Sequence, residues 1–156
     1  MTAPLRLSVR RSELPLPEAS ARQIELSLRV PSDLGIIEEA VDIVARHCLA
    51  SGMPPRTARF KLRVALCEAL SNAIIYGNQL DPDKRADVTV VVDSESASVR
   101  VRDEGEGFDP EQVCDPTTPD KLETDEGRGL FLIHQLVDEV RFNDRGNSIC
   151  MILRLA

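Results

Sequence analysis

Two pairs of alternating segments, each joined by a short turn, constrain the fold of this sequence most strongly. One pair is DVTVVVDSE (87–95) with SVRVRDE (98–104), and the other is VRFN (140–143) with SICMILRL (148–155). Alternation of apolar and polar residues is typical of half-buried strands, and strands joined by short turns pair antiparallel. QIELSLRV (23–30) alternates in the same way. We therefore predict a mixed, mainly antiparallel sheet.

Three segments between the predicted strands have the character of helices. Ser32 or Asp33 can cap a first helix that runs to Gly52, and a second helix is predicted over residues 56–77. GLFLIHQLVDEV (129–140) begins as a third, amphipathic helix. Because the strands follow one another through short turns, the helices are expected to gather on one face of the sheet. The predicted fold class is an α+β two-layer sandwich.

Length and charge bound the class of protein. The 156 residues suffice for one domain with a sizeable core, which we place at residues 23–156. Residues 1–22 contain Pro4, Pro15 and Pro17 among mixed charges and are interpreted as an N-terminal extension outside that core. The formal net charge of -7 argues against broad electrostatic binding to nucleic acid or to an anionic membrane.

The cysteines and the distribution of apolar residues indicate a cytoplasmic protein. Cys48, Cys67, Cys114 and Cys150 form no CxxC pair and have no histidine pair near them, so no zinc site is expected. Cys67 and Cys150 lie in apolar runs and are predicted to be small core residues. The N-terminus lacks the continuous apolar segment of a signal peptide, and no stretch approaches the length of a bilayer span.

Two polar residues interrupt the apolar second helix. Glu68 and Asn72 lie one turn apart, and Lys61 falls on the same stripe when the helix is wound at about 100° per residue. Apolar residues flank this stripe on both sides, which suits the floor of a partly closed cavity. The alternative is an ordinary surface stripe with a Lys61–Glu68 contact of little energetic value. The helix alone does not decide between these hypotheses.

The segment DEGEGFDP (103–110) closes a predicted strand. Asp103 follows the alternating run, where its carboxylate can accept a hydrogen bond from an exocyclic amine. Gly105 and Gly107 allow a sharp turn and a close approach to a flat ligand. The alternative is an acidic turn after a strand, and Pro110 stands where a dinucleotide fingerprint would need a third glycine.

The segment EGRGLFLIHQL (126–136) places Gly127 and Gly129 directly before the third predicted helix. Free N–H groups at a helix start form an anion site, to which Arg128 adds positive charge. The alternative is a plain helix start with glycine in the turn, and there is no P-loop motif. The long segment from Gly105 to Glu126 is interpreted as a glycine-hinged lid or, alternatively, as a mobile surface loop.

These three motifs, in this order, resemble the GHKL ATP-binding fold that histidine kinases, type II topoisomerases and Hsp90-like ATPases share. The matching stretches are EALSNAIIYGN, VRDEGEGFDP and EGRGLFLIHQLVDEV. Within that group, the short domain resembles the anti-sigma-factor serine/threonine kinases of bacterial partner-switching systems. The resemblance extends from about Gln23 to the C-terminus, and Tyr76 stands where these kinases often carry histidine.

The resemblance implies a role for each motif. Asn72 would hold Mg²⁺ against the phosphates of ATP, and Glu68 would be the general base for a protein serine or threonine hydroxyl. Asp103 would accept a hydrogen bond from the adenine amino group, in a base pocket shaped by Gly105 and Gly107. The residues implied to close over the phosphates are Gly127, Arg128, Gly129 and Leu130.

The implied activity is that of an ATP- and Mg²⁺-dependent protein serine/threonine kinase. Its substrate would be a small antagonist protein, and it would also sequester a sigma factor. Such kinases commonly act as homodimers, for which the first helix (33–51) offers a face. Two alternatives stay open. One is a non-catalytic ATP-binding module that controls a partner protein by contact alone, and the other is a simple ATP hydrolase in which Glu68 activates water.

Overall fold

The computed structural model describes residues 5–13, 22–107 and 125–155. They form a six-stranded sheet with the order β1-β2-β3-β4-β6-β5, in which every neighbouring pair is antiparallel. The strands are β1 (Arg6–Glu13), β2 (Arg22–Pro31), β3 (Arg85–Val92), β4 (Ser96–Arg102), β5 (Glu139–Phe142) and β6 (Ser148–Arg154). The two predicted hairpins, β3–β4 and β5–β6, are therefore confirmed.

Within the described residues, three helices pack against this sheet. Helix α1 (Ile37–Ala50) follows a short 3₁₀ turn, at which the Asp33 carboxylate accepts a hydrogen bond from the Gly35 N–H (2.8 Å). The segments of α2 are Thr57–Leu62, Arg63–Asn72 and Ala73–Gly77, and the first and last are π-helical. Helix α3 spans Asp125–Leu136. π-Helical turns are wider than α-helical turns and occur frequently at functional sites. The second π-helical segment, Ala73–Gly77, forms the C-terminal end of α2.

The helices cover one face of the sheet. Alternate residues of the central strands point towards the helices and are buried, as where Val90 pairs with Leu26 and Val99 pairs with Met151. Buried apolar residues of α1 and α2, such as Leu66, complete a single core. The predicted α+β two-layer sandwich with helices on one face is therefore confirmed.

Strand β1 is the main difference between the predicted and the observed sheet. It lies within the segment interpreted as an extension, and it pairs with β2 along its whole length. Leu7 and Val9 remain 55% and 52% exposed, so β1 adds backbone hydrogen bonds at the sheet edge and little to the core. Charged residues after Val9 interrupt the alternation, which is why the pattern does not predict this strand. The boundary between extension and domain stays a prediction.

Helix α3 begins and ends earlier than its sequence pattern predicts. It starts at Asp125 rather than at Gly129, and it ends at Leu136. The Asp138 N–H donates to the Ile152 carbonyl (2.9 Å), at the point where the pairing of β5 with β6 begins. This long-range pairing stops the helix, although the apolar pattern itself continues.

The cysteines lie in different environments. The prediction that Cys67 is a core residue is wrong, because Cys67 is exposed on α2. Among the other described cysteines, Cys48 is buried and Cys150 is half-buried. Burial raises the pKa of the Cys48 thiol to about 12, which makes it unreactive at neutral pH. Cys114 and most of the segment interpreted as a lid fall within residues 108–124, outside the described residues. In the described part of the chain, no helix is long and apolar enough to cross a membrane.

Helix α2 offers a matched test of the core. Leu66 is 0% exposed and Phe60 is 57% exposed. We expect Leu66→Ala to lower the free energy of unfolding by about 2–5 kcal/mol, because it removes buried methyl groups and leaves a cavity. Phe60→Ala should change it by no more than about 0.5 kcal/mol. Urea denaturation followed by circular dichroism measures both, and equal losses would contradict this placement of the core.

Candidate functional site

A cavity of about 360 Å³ opens where α2, α3, the end of β4 and the β5–β6 turn meet. Its walls combine apolar side chains, among them Val101, Leu130 and Ile149, with polar residues that include Asn72 and Asp103. A cleft of this volume, in which polar groups converge beside apolar side chains, suits a small-molecule ligand. The cavity therefore brings together residues from all three sequence motifs.

The polar pair of α2 lies where this helix packs against α3. Gly129 faces both side chains, since a Cβ atom there would lie 2.8 Å from Glu68 Oε2 and 3.3 Å from Asn72 Nδ2. Only glycine lets α3 approach the pair this closely without displacing them. Asn72 lines the cavity, whereas Glu68 stands beside Gly129 and is not a lining residue. Lys61, the third member of the predicted stripe, is exposed and does not line the cavity.

Asp103 follows β4 directly and lies against the end of α2. A Cβ atom on Gly77 would overlap the Asp103 carboxylate, so glycine is required at the helix end. Asp103 Oδ1 accepts a hydrogen bond from the Gly105 N–H (2.8 Å). Gly105 in turn touches the Gly77 carbonyl so closely that a Cβ atom there would also overlap. The turn after β4 is thus packed directly onto the helix backbone.

The β5–β6 turn holds the same segment from another side. Gly107 has a φ of 82°, in the left-handed region, and a Cβ atom there would overlap the Arg145 carbonyl. The Asp103 N–H donates to the Asn147 carbonyl (2.9 Å), and Asn147 Nδ2 donates to the Asp103 carbonyl (3.1 Å). Asn147 is buried, and its Oδ1 accepts from Asn143 Nδ2 (2.6 Å). Two hydrogen bonds with Asn147 thus fix the backbone of Asp103, and Asn143 holds the Asn147 side chain.

The asparagines of this turn are site residues that the sequence pattern does not predict. In the sequence, Asn143 and Asn147 flank a polar segment that indicates only a turn, because short polar side chains favour turns. Lys84 and Ser148, which also line the cavity, belong to no motif. No local signal identifies these residues, because their role depends on which distant segment packs against them.

The environment of Asp103 perturbs its carboxyl group. Burial raises the pKa of Asp103, and the Gly105 N–H and the positive charges of Lys84 and Arg145 partly oppose this effect. Asp103 Oδ1 accepts the hydrogen bond of the Gly105 N–H, and Asp103 Oδ2 has no hydrogen-bond partner among the described residues. A half-buried carboxylate with one oxygen available can accept a hydrogen bond from an amino group of a ligand.

The glycine-rich third motif lies inside α3, so its predicted place directly before the helix is wrong. The helix begins at Asp125, and Gly127 (buried) and Arg128 (exposed) fall in its first turn. The first four N–H groups of a helix have no partner within it, so this part of the motif remains at the positive helix end. Gly129 faces the polar pair of α2 instead, and Leu130 lines the cavity.

The raised pKa of Asp103 predicts a pH-dependent effect of Asp103→Asn on stability. Because the folded state binds this proton more tightly than the unfolded chain, stability falls as pH rises from the ordinary aspartate pKa through the raised one. We expect Asp103→Asn, which keeps the acceptor for Gly105, to be more stable than wild type at neutral pH. The difference should vanish below the ordinary aspartate pKa. Urea denaturation at both pH values measures this, and a variant less stable at neutral pH would contradict it.

Comparison with known proteins places these motifs in a family. The model of the histidine kinase-like ATPase domain matches residues 30–153. The anti-sigma F factor of Anoxybacillus flavithermus is 29% identical over 91 residues, which cover 56% of this chain and 62% of the relative. The serine-protein kinase RsbW of Listeria monocytogenes is 31% identical over 97 residues (58% and 62%). RsbW of Bacillus subtilis is 34% identical over 98 residues (58% and 61%).

The family model matches a larger part of this chain than the alignments with individual relatives do. The matched part spans only 61% to 62% of the length of these relatives. The family match runs from the end of β2 to β6 and includes all three motifs. The resemblance that the motifs predict is therefore confirmed, and the chain belongs to the histidine kinase-like ATPase domain family.

Proposed function

We propose that this protein is an ATP- and Mg²⁺-dependent protein serine/threonine kinase that also binds the regulatory proteins it controls. The observation that carries the proposal is the contact of Glu68 and Asn72 with Gly129, beside a cavity whose wall also holds Asp103. A base, an oxygen ligand for a metal and an acceptor for an amino group thus adjoin one ligand-sized space. The names of the relatives, anti-sigma F factor and serine-protein kinase, support the same class of activity.

The adenine ring is assigned to the part of the cavity beside Asp103. The Asp103 carboxylate accepts the hydrogen bond of the adenine 6-amino group, and the apolar wall that includes Val101 and Ile149 packs against the ring. Guanine carries a carbonyl oxygen at the equivalent position, which a carboxylate repels. Gly77 and Gly105 support this assignment, because their close packing holds the carboxylate in one place.

The residues present fit a magnesium ion bound mainly through phosphates. Within the described residues, no three His, Cys, Asp or Glu side chains cluster as a closed metal site would require. Mg²⁺ prefers oxygen ligands and is usually held by one or two protein groups together with substrate phosphates and water. The Asn72 amide oxygen is such a ligand, with the Glu68 carboxylate one turn away. When bound, the metal supplies charge neutralisation for the phosphates.

The phosphates are assigned to the start of α3. Gly127 and Arg128 lie in its first turn, where the helix dipole favours an anion and the Arg128 side chain adds positive charge. Gly129 lets this helix end approach Asn72, so the phosphates and the metal ligand come to the same place. Local geometry thus offsets the net charge of -7.

In the proposed reaction, Glu68 accepts the proton of a serine or threonine hydroxyl of the protein substrate. The hydroxyl oxygen forms a bond to the γ-phosphorus of ATP as the bond from that phosphorus to the bridging oxygen breaks, and ADP leaves with the electron pair. The half-buried Glu68 then releases the proton to solvent. Phosphoryl transfer depends mainly on positioning and charge stabilisation, which Asn72 and the start of α3 provide.

The partners are proposed from the names of the relatives. An anti-sigma F factor implies a sigma factor as one partner, and a serine-protein kinase implies a protein substrate. We propose a small antagonist protein as the substrate and a homodimer as the working form, with the first helix as a contact face. The protein is assigned to the cytoplasm, without nucleic acid or membrane as a partner.

A second candidate is a non-catalytic ATP-binding module that controls its partner by contact alone. The observation that favours it is that Glu68 does not line the cavity, although Asn72 does. In that case the nucleotide would bind beside Asp103, and no group would accept the proton of a protein hydroxyl.

Replacing Glu68 separates these two candidates. Glu68→Gln keeps the size of the side chain and removes the proton acceptor, so we expect phosphoryl transfer to fall about 10²- to 10⁴-fold while ATP still binds. Transfer is measured from γ-labelled ATP to serine or threonine of proteins co-purified with the tagged protein from its own cells. Lys61→Ala, on the exposed part of the same helix, should transfer like wild type. Unchanged transfer in Glu68→Gln would refute Glu68 as the base.

Replacing Asn72 tests the metal assignment. We expect Asn72→Ala to weaken ATP binding about tenfold or more in the presence of Mg²⁺, because a charge-assisted contact is lost, and to change it little without Mg²⁺. Calorimetric titration with and without Mg²⁺ measures this. Ser71→Ala, at the neighbouring position outside the cavity, is the control. Equal weakening under both conditions would contradict a metal ligand, and no ATP binding by wild type would overturn the nucleotide site.

A further inference from the structure

Asn78 is a buried polar residue directly after α2. It is the last residue of the first matching stretch, EALSNAIIYGN, and the resemblance implies no role for it. Its exposed fraction is 0%, although the residues that follow it are exposed. Burial of an amide side chain is costly unless its polar atoms are hydrogen-bonded. The partners of Asn78 therefore indicate what it does.

The hydrogen bonds of Asn78 and of its partner Ser32 together join four segments of the chain. Asn78 Oδ1 accepts from the Glu104 N–H (2.8 Å), and Asn78 Nδ2 donates to Ser32 Oγ (3.0 Å). Ser32 Oγ donates in turn to the Lys84 carbonyl (2.8 Å). The end of α2 is thus tied to the turn after β4, to the residues before α1, and to the residue before β3.

The bond to Glu104 acts on the peptide group that links Asp103 to Glu104. Asn78 accepts from the N–H of this peptide group, and Asn147 Nδ2 donates to its carbonyl, which is that of Asp103 (3.1 Å). Two buried asparagines, from α2 and from the β5–β6 turn, therefore hold one peptide group at both ends. Because a peptide group is planar, fixing both of its ends fixes its orientation. The Asp103 N–H is held as well, by the Asn147 carbonyl (2.9 Å), so the direction in which the Asp103 Cβ leaves the backbone is also fixed.

We propose that Asn78 is a positioning residue that determines the selectivity of the site for the 6-amino group of the purine. This inference rests on the proposed function, in which the Asp103 carboxylate accepts the hydrogen bond of that amino group. Asn78 does not touch the nucleotide; it acts through the Asp103–Glu104 peptide group. Without Asn78, the Glu104 N–H loses its buried acceptor, and the Asp103–Glu104 peptide group loses one of the two side chains that hold it.

The test compares ATP with purine riboside triphosphate, which lacks only the 6-amino group. Calorimetric titration gives the ratio of the two dissociation constants for wild type, Asn78→Ala, Ser32→Ala and the control Val44→Ala. Val44 is 0% exposed on α1 and lies outside the cavity, so this variant reports general destabilisation alone. Thermal unfolding of each variant shows how much stability it has lost.

We expect wild type to prefer ATP on the order of tenfold to a hundredfold, the range for a hydrogen bond to a charged group. Asn78→Ala should lose about tenfold of this preference. Ser32→Ala, which removes only the partner of Nδ2, should lose less, and it decides the question if Asn78→Ala does not fold. Val44→Ala should keep the full preference despite its lower stability.

The outcomes separate the inference from the function on which it rests. If wild type binds both nucleotides equally, the assignment of Asp103 to the amino group fails. If wild type prefers ATP and Asn78→Ala keeps that preference, Asn78 is not a positioning residue and only the inference fails. An equal loss of preference in Val44→Ala would also overturn it, because the effect would then follow stability rather than the Asp103–Glu104 peptide group.

Discussion

The site depends on one close contact, in which the end of α2 packs against the turn after β4 with no side chain between the two backbones. Gly77 and Gly105 permit this contact, since a Cβ atom on either residue would overlap its neighbour. The contact places the Asp103 carboxylate at the end of the helix that also carries Asn72. A larger residue at either glycine would separate the helix layer from the sheet and change the shape of the cavity.

A second glycine contact brings the other helix into the site. Gly129 of α3 faces Glu68 and Asn72 of α2, so the first turn of α3 lies close to the polar pair. The two layers therefore make different contributions to the proposed chemistry. In the proposed function, the helices would supply the base, the metal ligand and the positive helix end, and the end of β4 would supply the acceptor for the adenine amino group.

The polar groups of the site are arranged at some cost to stability. Burial raises the pKa of Asp103, which means that the ionised carboxylate is disfavoured where it stands. The backbone on both sides of Asp103 is nevertheless fixed by the buried residues Asn78 and Asn147. A ligand that donates a hydrogen bond to the carboxylate would offset the unfavourable burial of its charge. The Asp103 carboxylate would thus contribute to ligand affinity although its ionised form does not stabilise the folded protein.

The sequence by itself determined the fold class, the hairpins β3–β4 and β5–β6, the extent of α2, and which polar residues (Glu68, Asn72 and Asp103) interrupt or follow apolar segments. These features are local: hydrophobic periodicity decides whether a segment is a helix or a strand, and polar residues within apolar sequence stand out. Only the tertiary structure decided the strand β1, the bounds of α3, the exposure of Cys67, and the hydrogen bonds of Asn78 and Asn147. Each of these features depends on contacts between residues far apart in the chain: the pairing of an edge strand, the end of a helix and the burial of an amide side chain. A local sequence pattern therefore does not predict them.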